Sequence, residues 1–250
     1  KPVTQQMKDI FIGGRGFGLW LLWNGIKDDT KWNDPENEII ISSGPIGGTT
    51  TYPGAGKSLV VTISPLTGSV MDSNVGGHFG PLLKFAGWDA IEIQGKAEKD
   101  VIVFINAPKG KITIEEAPEE PVNTHLLSGL MVEMYAESEE DKRNISSVSA
   151  GIGGDNTLFG CLNFSLYDIR RKSTRVKQAG RGGVGTVFRD KRIKALVVRS
   201  FPVKGDSNHP ADRGRIQRVG TKMHKEIHDN DPVQCHMRTV GTAHLSLIHI

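Results

Sequence analysis

The sequence predicts an α+β domain in which one unit of strand, glycine loop, strand, glycine turn, short helix and strand occurs twice. Three observations lead there. Glycine supplies 30 of 250 residues, where average usage is about 7%. The glycines cluster between short apolar runs rich in β-branched residues, the pattern of strands joined by tight turns. The clusters also recur in register. Ile46-Gly47-Gly48 and Ile152-Gly153-Gly154 lie 152 − 46 = 106 residues apart, each after a strand ending in serine. Gly80 and Gly185, Gly77 and Gly182, Lys84 and Arg189, and Ala90-Ile91 and Ala195-Leu196 all lie 105 apart. Spaced matches holding one register favour a duplication with a pseudo-twofold axis over chance among thirty glycines, and a one-residue loop change explains the slip.

The elements follow in order. Residues 8–26 read as a short strand, a turn at Gly13-Gly14-Arg15-Gly16 and a helix ending at Gly25. Asp34-Pro35-Glu36-Asn37 is a turn, Glu38–Ser42 a strand and 44–48 a loop. Leu59–Ile63 is a strand, Ser64–Gly68 a turn, and a further short strand leads into Asn74–Gly80. A helix over Pro81–Ala86 precedes the strand Ala90–Ile93. Val101–Ile105 and Ile112–Glu115 flank Pro108-Lys109-Gly110 as a hairpin. Val122–Glu137 is an amphipathic helix running into a solvated acidic stretch, Glu137–Asp141. The second unit has strands at Ile145–Ser149 and Gly160–Leu166, a loop at 151–154 and a basic stretch from Arg170 to Lys177. Its glycine turn at 180–185 leads to a short helix and the strand Ala195–Val198. A composition shift near residue 200 marks a boundary, with a polar helix over Ala211–His228 beyond it.

Composition excludes several classes. Hydrophobic residues at 37% and charged residues at 24% suit a folded chain of one or two domains. The net charge of +3 argues against a dedicated nucleic-acid binder. The best apolar run, Phe17–Trp23, is far short of the roughly 18 residues of a membrane span, so no membrane helix is expected. Cys161 and Cys235 cannot make a disulfide framework or a four-cysteine metal site, and their scarcity suits a reducing, cytoplasmic setting. No signal peptide is visible, and a chain beginning at Lys1 rather than Met is expected to be a fragment.

The glycine turns carry the chemistry. A turn that opens a helix leaves backbone N–H groups unpaired and attracts anions, phosphate above all. Two such turns in pseudo-symmetry predict two phosphates, or one ligand with two anionic halves. Two nucleotide motifs fail. Gly54-Ala55-Gly56-Lys57-Ser58 lacks the first P-loop glycine, which would fall at Thr51, and a β-patterned run follows where the P-loop needs a helix. Gly180-Arg181-Gly182-Gly183-Val184-Gly185 fits GxGxxG, but a polar basic segment precedes it rather than a buried strand. Lys57 reads as a phosphate contact or as a solvated edge lysine. His78 reads as a capping or packing residue before a ligand contact. The eight histidines show no metal-ligand spacing.

The run Ser64-Pro65-Leu66-Thr67-Gly68, Asn74-Val75-Gly76-Gly77-His78-Phe79-Gly80, Leu83–Ala90 and Gly95-Lys96-Ala97, with Ala179–Gly185 and Lys194-Ala195, resembles the tungsten-containing aldehyde ferredoxin oxidoreductases over about residues 8–200. The resemblance implies an N-terminal domain (1–200) of two β-sheets related by pseudo-twofold symmetry, carrying a bis-molybdopterin tungsten or molybdenum cofactor. Residues 201–250 would be a truncated helical segment. It implies that backbone carbonyls of Asn74 and Gln178 hold a Mg²⁺ between two pterin phosphates, and that Gly76, Gly180 and Arg181 line the pterin-contacting loops. Lys57 and Lys177 stand where arginines are common in that family, keeping charge without bidentate geometry.

The function so implied is oxidation of aldehydes to carboxylic acids, with electrons passing through a [4Fe–4S] cluster to ferredoxin or an electron-transfer subunit, in a homodimer or larger complex. The family's cluster ligands and proton-transfer residues lie downstream and outside this chain, so no catalytic residue is assigned and the chain alone is expected to be inactive. Ser246-Leu247-Ile248-His249-Ile250 does not continue the family pattern after Gly241–Leu245, and the family's N-terminal strand is expected to be cut. Two alternatives stand: the catalytic subunit of a tungsten-type benzoyl-CoA reductase, and a non-catalytic phosphate- or nucleotide-binding module.

Overall fold

The computed structural model describes residues 1–121, 123–202 and 208–243. Val122, the expected helix start, and the terminal stretch 246–250 lie outside the described residues. Two sheets face one another. The first holds β1 (Ile39–Ser43), β2 (Ser58–Ile63), β3 (Val70–Val75) and β4 (Ala90–Ile93) in the antiparallel order β3-β2-β1-β4. The second holds β5 (Val101–Asn106), β6 (Lys111–Glu116), β7 (Ile145–Ser149), β8 (Leu162–Asp168), β9 (Ser173–Ala179) and β10 (Ile193–Arg199). Its order is β6-β5-β10-β7-β8-β9, with β5 and β10 parallel and the other neighbours antiparallel. The helices are α1 (Gln5–Ile10), α2 (Arg15–Gly25), α3 (Phe79–Phe85), α4 (Thr124–Tyr135), α5 (Gly153–Asn156), α6 (Val184–Asp190), α7 (Arg213–Gln234) and α8 (Met237–Val240). The four-strand order β3-β2-β1-β4 is repeated as β9-β8-β7-β10, with α3 and α6 in matching places.

Strand alternation explains the layers. Ile39 and Ile41 point between the sheets, where they meet Val60, Val148, Phe164, Leu196 and Val198. Phe79, Leu82 and Leu83 of α3 and Val184, Val187 and Phe188 of α6 fill the same core, and Phe79 meets Phe164 edge-to-face at 5.6 Å. Ile40 and Val61 point outward beneath Leu22 of α2. Ala195 and Val197 point outward beneath Leu127, Met131 and Val132 of α4. Central strands are thus covered on both faces, so burial along them is continuous rather than alternating, even in β7, whose three serines are all buried.

Two glycines let the inner helices sit directly on strand backbone. A Cβ on Gly80 would lie 2.9 Å from the Lys57 carbonyl oxygen, just before β2. A Cβ on Gly185 would overlap the Cys161 carbonyl, just before β8. The repeated glycines of the sequence therefore mark one packing solution used twice.

Three expectations are corrected. The segment before Gly13 is the helix α1, not a strand: Thr4 Oγ1 caps it by accepting from the Met7 amide at 3.1 Å, and Met7 is buried. Residues 173–179 of the basic stretch form β9, which among the described residues pairs only with β8 and leaves Arg175 and Lys177 exposed. Gly153–Asn156 is a single helical turn rather than a loop. The acidic stretch is not simply solvated. Glu137 Oε1 lies 2.6 Å and Asp141 Oδ2 2.8 Å from the buried Arg199 guanidinium. That guanidinium holds the Glu137 carboxyl down at about 2, with Lys109 assisting.

Buried charge also ties the first sheet to the second. Lys191, before β10, is 2% exposed, and its Nζ donates to the Gly95 carbonyl at 3.1 Å and reaches the Pro35 carbonyl at 3.5 Å. Burial pulls it down to about 8. Glu38, 1% exposed, is pushed up to about 7, chiefly by burial and then by Glu92.

Three measurements test this account. Gly185→Ala is expected to lower stability by about 3 kcal/mol, because a backbone carbonyl cannot yield. Gly129→Ala in α4, where a Cβ meets nothing within 4 Å, is expected to raise it by about 0.5–1 kcal/mol; urea melts read both. Folded Glu38 keeps its proton from pH 4.5 to about 7 while the unfolded chain has lost it, so stability falls across that window. Folded Lys191 loses its proton near 8 against 10.5 unfolded, so stability rises between those values. Urea midpoints are expected to dip between these windows, and Glu38→Gln to flatten the acid limb.

The inner edges of the two sheets touch through β3 and β9. The Arg181 amide donates to Ser73 Oγ at 3.1 Å, and Ser64 Oγ donates to the Gly182 carbonyl at 2.8 Å. Ser73 is buried, so Ser73→Ala strands the Arg181 amide and is expected to lower stability by about 1–2 kcal/mol in the same melts.

Candidate functional site

Three backbone bends converge where β3 and β9 end. Asn74, paired with Leu59 of β2, leads into Gly76 and Gly77. Gln178, paired with Asn163 of β8, leads into Gly180, Arg181 and Gly182. The Arg181 amide bonds Ser73, the neighbour of Asn74. A Cβ on Gly56 would lie 3.0 Å from the Gly77 carbonyl oxygen, which places Lys57 beside the first bend. Residues expected from the sequence to act together, though more than 100 positions apart, are therefore held side by side.

The bends are open. A Cβ built on Gly76, Gly77 or Gly180 meets no heavy atom within 4 Å. Gly77 has φ +127°, a conformation glycine adopts without strain. Gly182 is closed by Met71 of β3, which a Cβ there would overlap, and its φ is +70°. Asn74, Lys57, Lys177, Gln178, Gly180 and Arg181 are all exposed. The side chains of Lys57, Lys177 and Arg181 make no ion pair or hydrogen bond with another described residue. Three unpaired cations around two open glycine bends form an electrostatic environment for anionic groups. The Gln178 side chain donates to Asn163 Oδ1 at 3.2 Å, which fixes it along the strand.

Arg15, which no motif marks, also belongs to this surface. It opens α2 after the Gly13-Gly14 turn, and its Nη2 meets Asp72 Oδ2 at 2.9 Å, two residues from Asn74. A small cavity of about 250 Å³, lined by Gly14, Arg15, Gly47, Lys57 and Leu59 among others, joins that helix start to Lys57. The signal was present, since the Gly13–Gly16 turn opens a helix as the assigned turns do. His78 occupies the N-cap of α3 without capping it through its side chain. Desolvation lowers its pKa. The P-loop fails as expected, since β2 rather than a helix follows Lys57.

Among the described residues, no group of three or more His, Cys, Asp or Glu side chains is placed to hold a metal ion. Metal binding at the bends would fall to backbone and amide oxygens, hard donors suited to Mg²⁺. The open space and unpaired cations fit a ligand with two phosphate arms. No helix among the described residues is long and apolar enough to cross a membrane.

The aldehyde ferredoxin oxidoreductase N-terminal domain matches residues 1–200. A tungsten-containing aldehyde ferredoxin oxidoreductase of Pyrococcus horikoshii is 34% identical over 223 residues, covering 89% of this chain and 33% of that protein. The aliphatic sulfonate oxidoreductase WOR-like subunit of Pyrococcus furiosus is 30% identical over 199 residues, covering 76% of this chain and 30% of its own length. Among solved structures, the active-site complex BamBC of benzoyl coenzyme A reductase, in complex with 1,5-dienoyl-CoA, aligns with a TM-score of 0.66 at 27% identity. That alignment covers 79% of this chain and 28% of the other. The chain spans about a third of the length of the curated relatives it matches. With the family's domain matched across residues 1–200 and its curated members a third identical over most of the chain, this protein belongs to the aldehyde ferredoxin oxidoreductase family.

Proposed function

We propose that residues 1–200 are the cofactor-bearing base of a tungstopterin oxidoreductase that oxidises aldehydes to carboxylic acids, and that residues 201–250 begin a helical domain. The observation that carries this reading is the meeting of the Asn74–Gly77 and Gln178–Gly182 bends through the Arg181–Ser73 hydrogen bond. Each bend takes one arm of a bis-molybdopterin. Carbonyl oxygens of Asn74 and Gln178 take a Mg²⁺ that offsets the repulsion of two close phosphates. Gly76 and Gly180 let the ligand approach the backbone, and Arg181, Lys57 and Lys177 neutralise phosphate charge. The matching strand orders suit an origin by duplication, with one bend per copy.

When bound, the tungsten or molybdenum centre supplies the redox chemistry. The domain's own residues bind, orient and neutralise. The [4Fe–4S] ligands and the contact with ferredoxin or another electron-transfer subunit fall outside residues 1–250. The likeness to the benzoyl-CoA reductase complex supports a second reading, a tungsten-type ring reductase on the same base.

Metal and pterin analysis of the purified full-length protein tests the assignment. Tungsten or molybdenum with pterin is expected; nucleotide without metal would favour a phosphate-binding module instead. Gly180→Val and Asn74→Pro are each expected to cut metal content at least tenfold, while far-ultraviolet circular dichroism stays folded. Metal content equal to wild type in both variants would remove these residues from the site. Aldehyde-dependent against benzoyl-CoA-dependent turnover separates the two enzyme readings.

A further inference from the structure

A second concave site lies away from the bends, on the outer side of the first sheet. It is a groove of about 930 Å³ between α1, α2 and β4. Met7, Phe17, Trp20 and Trp88 form apolar walls, and the carboxyl groups of Glu38, Glu92 and Asp89 line it, Asp89 already paired with Lys84. Glu38 is 1% exposed, and its Oε2 has no hydrogen-bond partner among the described residues. A buried carboxylate oxygen without a partner is costly, so such a group calls for a ligand or a proton. The chain makes room for it, since a Cβ on Gly25 at the end of α2 would overlap the Glu38 carboxylate.

An ammonium already reaches the rim. Lys1 Nζ lies 3.3 Å from Glu92 Oε1, on a side chain that is 83% exposed, and it leaves Glu38 Oε2 unpartnered. No third acidic or histidine ligand joins the pair among the described residues, which is a poor set for a divalent metal. Aromatic walls beside two carboxylates suit a positive charge on an apolar stem.

We propose that this groove binds an organic cation, a primary ammonium or guanidinium on an apolar stem. The charge takes the place of the proton that Glu38 and Glu92 share and sits against both carboxylates, and the stem lies against Trp20 and Trp88. The site is independent of the cofactor reading. The same chemistry is carried by a free alkylamine and by a lysine or arginine side chain of a polypeptide. Glu38 faces Glu92 of β4, Lys1 and Lys191, and it keeps its proton up to about pH 7. Ionised Glu38 attracts the cation, so affinity rises as pH passes upward through that value.

Isothermal titration of the protein with n-butylammonium, with the neutral isostere n-butanol, and with the peptide acetyl-Ala-Lys-Ala-amide tests the proposal. Saturable binding of either cation is expected, at least fivefold tighter at pH 8 than at pH 6, with n-butanol silent. Tighter binding of the peptide than of the free amine identifies a polypeptide side chain as the source, and the reverse identifies a small amine. Glu38→Gln is expected to abolish binding and Glu92→Gln to weaken it severalfold, so the second variant decides if the first fails to fold. Lys1→Ala, which removes the competing ammonium, is expected to tighten binding. Equal titration by n-butanol, no saturation by either cation, or wild-type affinity in a folded Glu38→Gln or Glu92→Gln variant would overturn the assignment.

Discussion

The contact between the ends of β3 and β9 fixes the geometry of the candidate site. Ser73 Oγ accepts the Arg181 amide, Ser64 Oγ donates to the Gly182 carbonyl, and Met71 closes over Gly182. Each hydrogen bond contributes on the order of 1 kcal/mol, a modest energy. Their importance is positional, because they join residues more than 100 positions apart into one surface. The core makes that junction rigid. α3 and α6 lie on strand backbone at Gly80 and Gly185, where no larger residue fits. Close packing of this kind transmits position well, because dense interiors do not deform smoothly.

The buried and half-buried cations of the domain have partners of their own. Arg199 is held by Glu137 and Asp141, Arg189 by Asp100 and Asp155, and Lys191 by the Gly95 and Pro35 carbonyls. Around the glycine bends, Lys57, Lys177 and Arg181 have no described partner and face solvent. An anionic ligand is the complement that such a cluster lacks. The open backbone at Gly76, Gly77 and Gly180 would let such a ligand dock with little rearrangement.

The groove beside Glu38 follows a different principle. There the unmet need belongs to a buried carboxylate rather than to exposed cations. Burial raises the Glu38 pKa and couples its proton to folding in the range where many proteins work. Lys191, pulled down toward neutrality by its own burial, sits near enough to lower the Glu38 pKa in part. The two groups make the first sheet and its tie to the second respond to pH in opposite directions.

Much of this was written locally. The short apolar runs at residues 38–42 and 195–198 read as strands, the spaced glycines as turns and close helix approach, and the repeated register led to matching strand orders. The motif run of residues 64–97 was specific enough to mark the family, because it preserves the turn and helix residues that one site needs in one order. Other features were decided only by tertiary contact. Residues 173–179 look like a solvated basic run, since an edge strand with one neighbour has few apolar positions to reveal it. Glu137 and Asp141 look solvated because Arg199, their partner, is some 60 residues away. Glu38 looks like any polar residue before a strand until α2 covers it. Periodicity and backbone freedom are properties of neighbouring residues and can be read along the chain. The meeting of two bends, the pairing of distant charges and the burial of a carboxylate are set by which surfaces the core brings together, and only the folded chain fixes those.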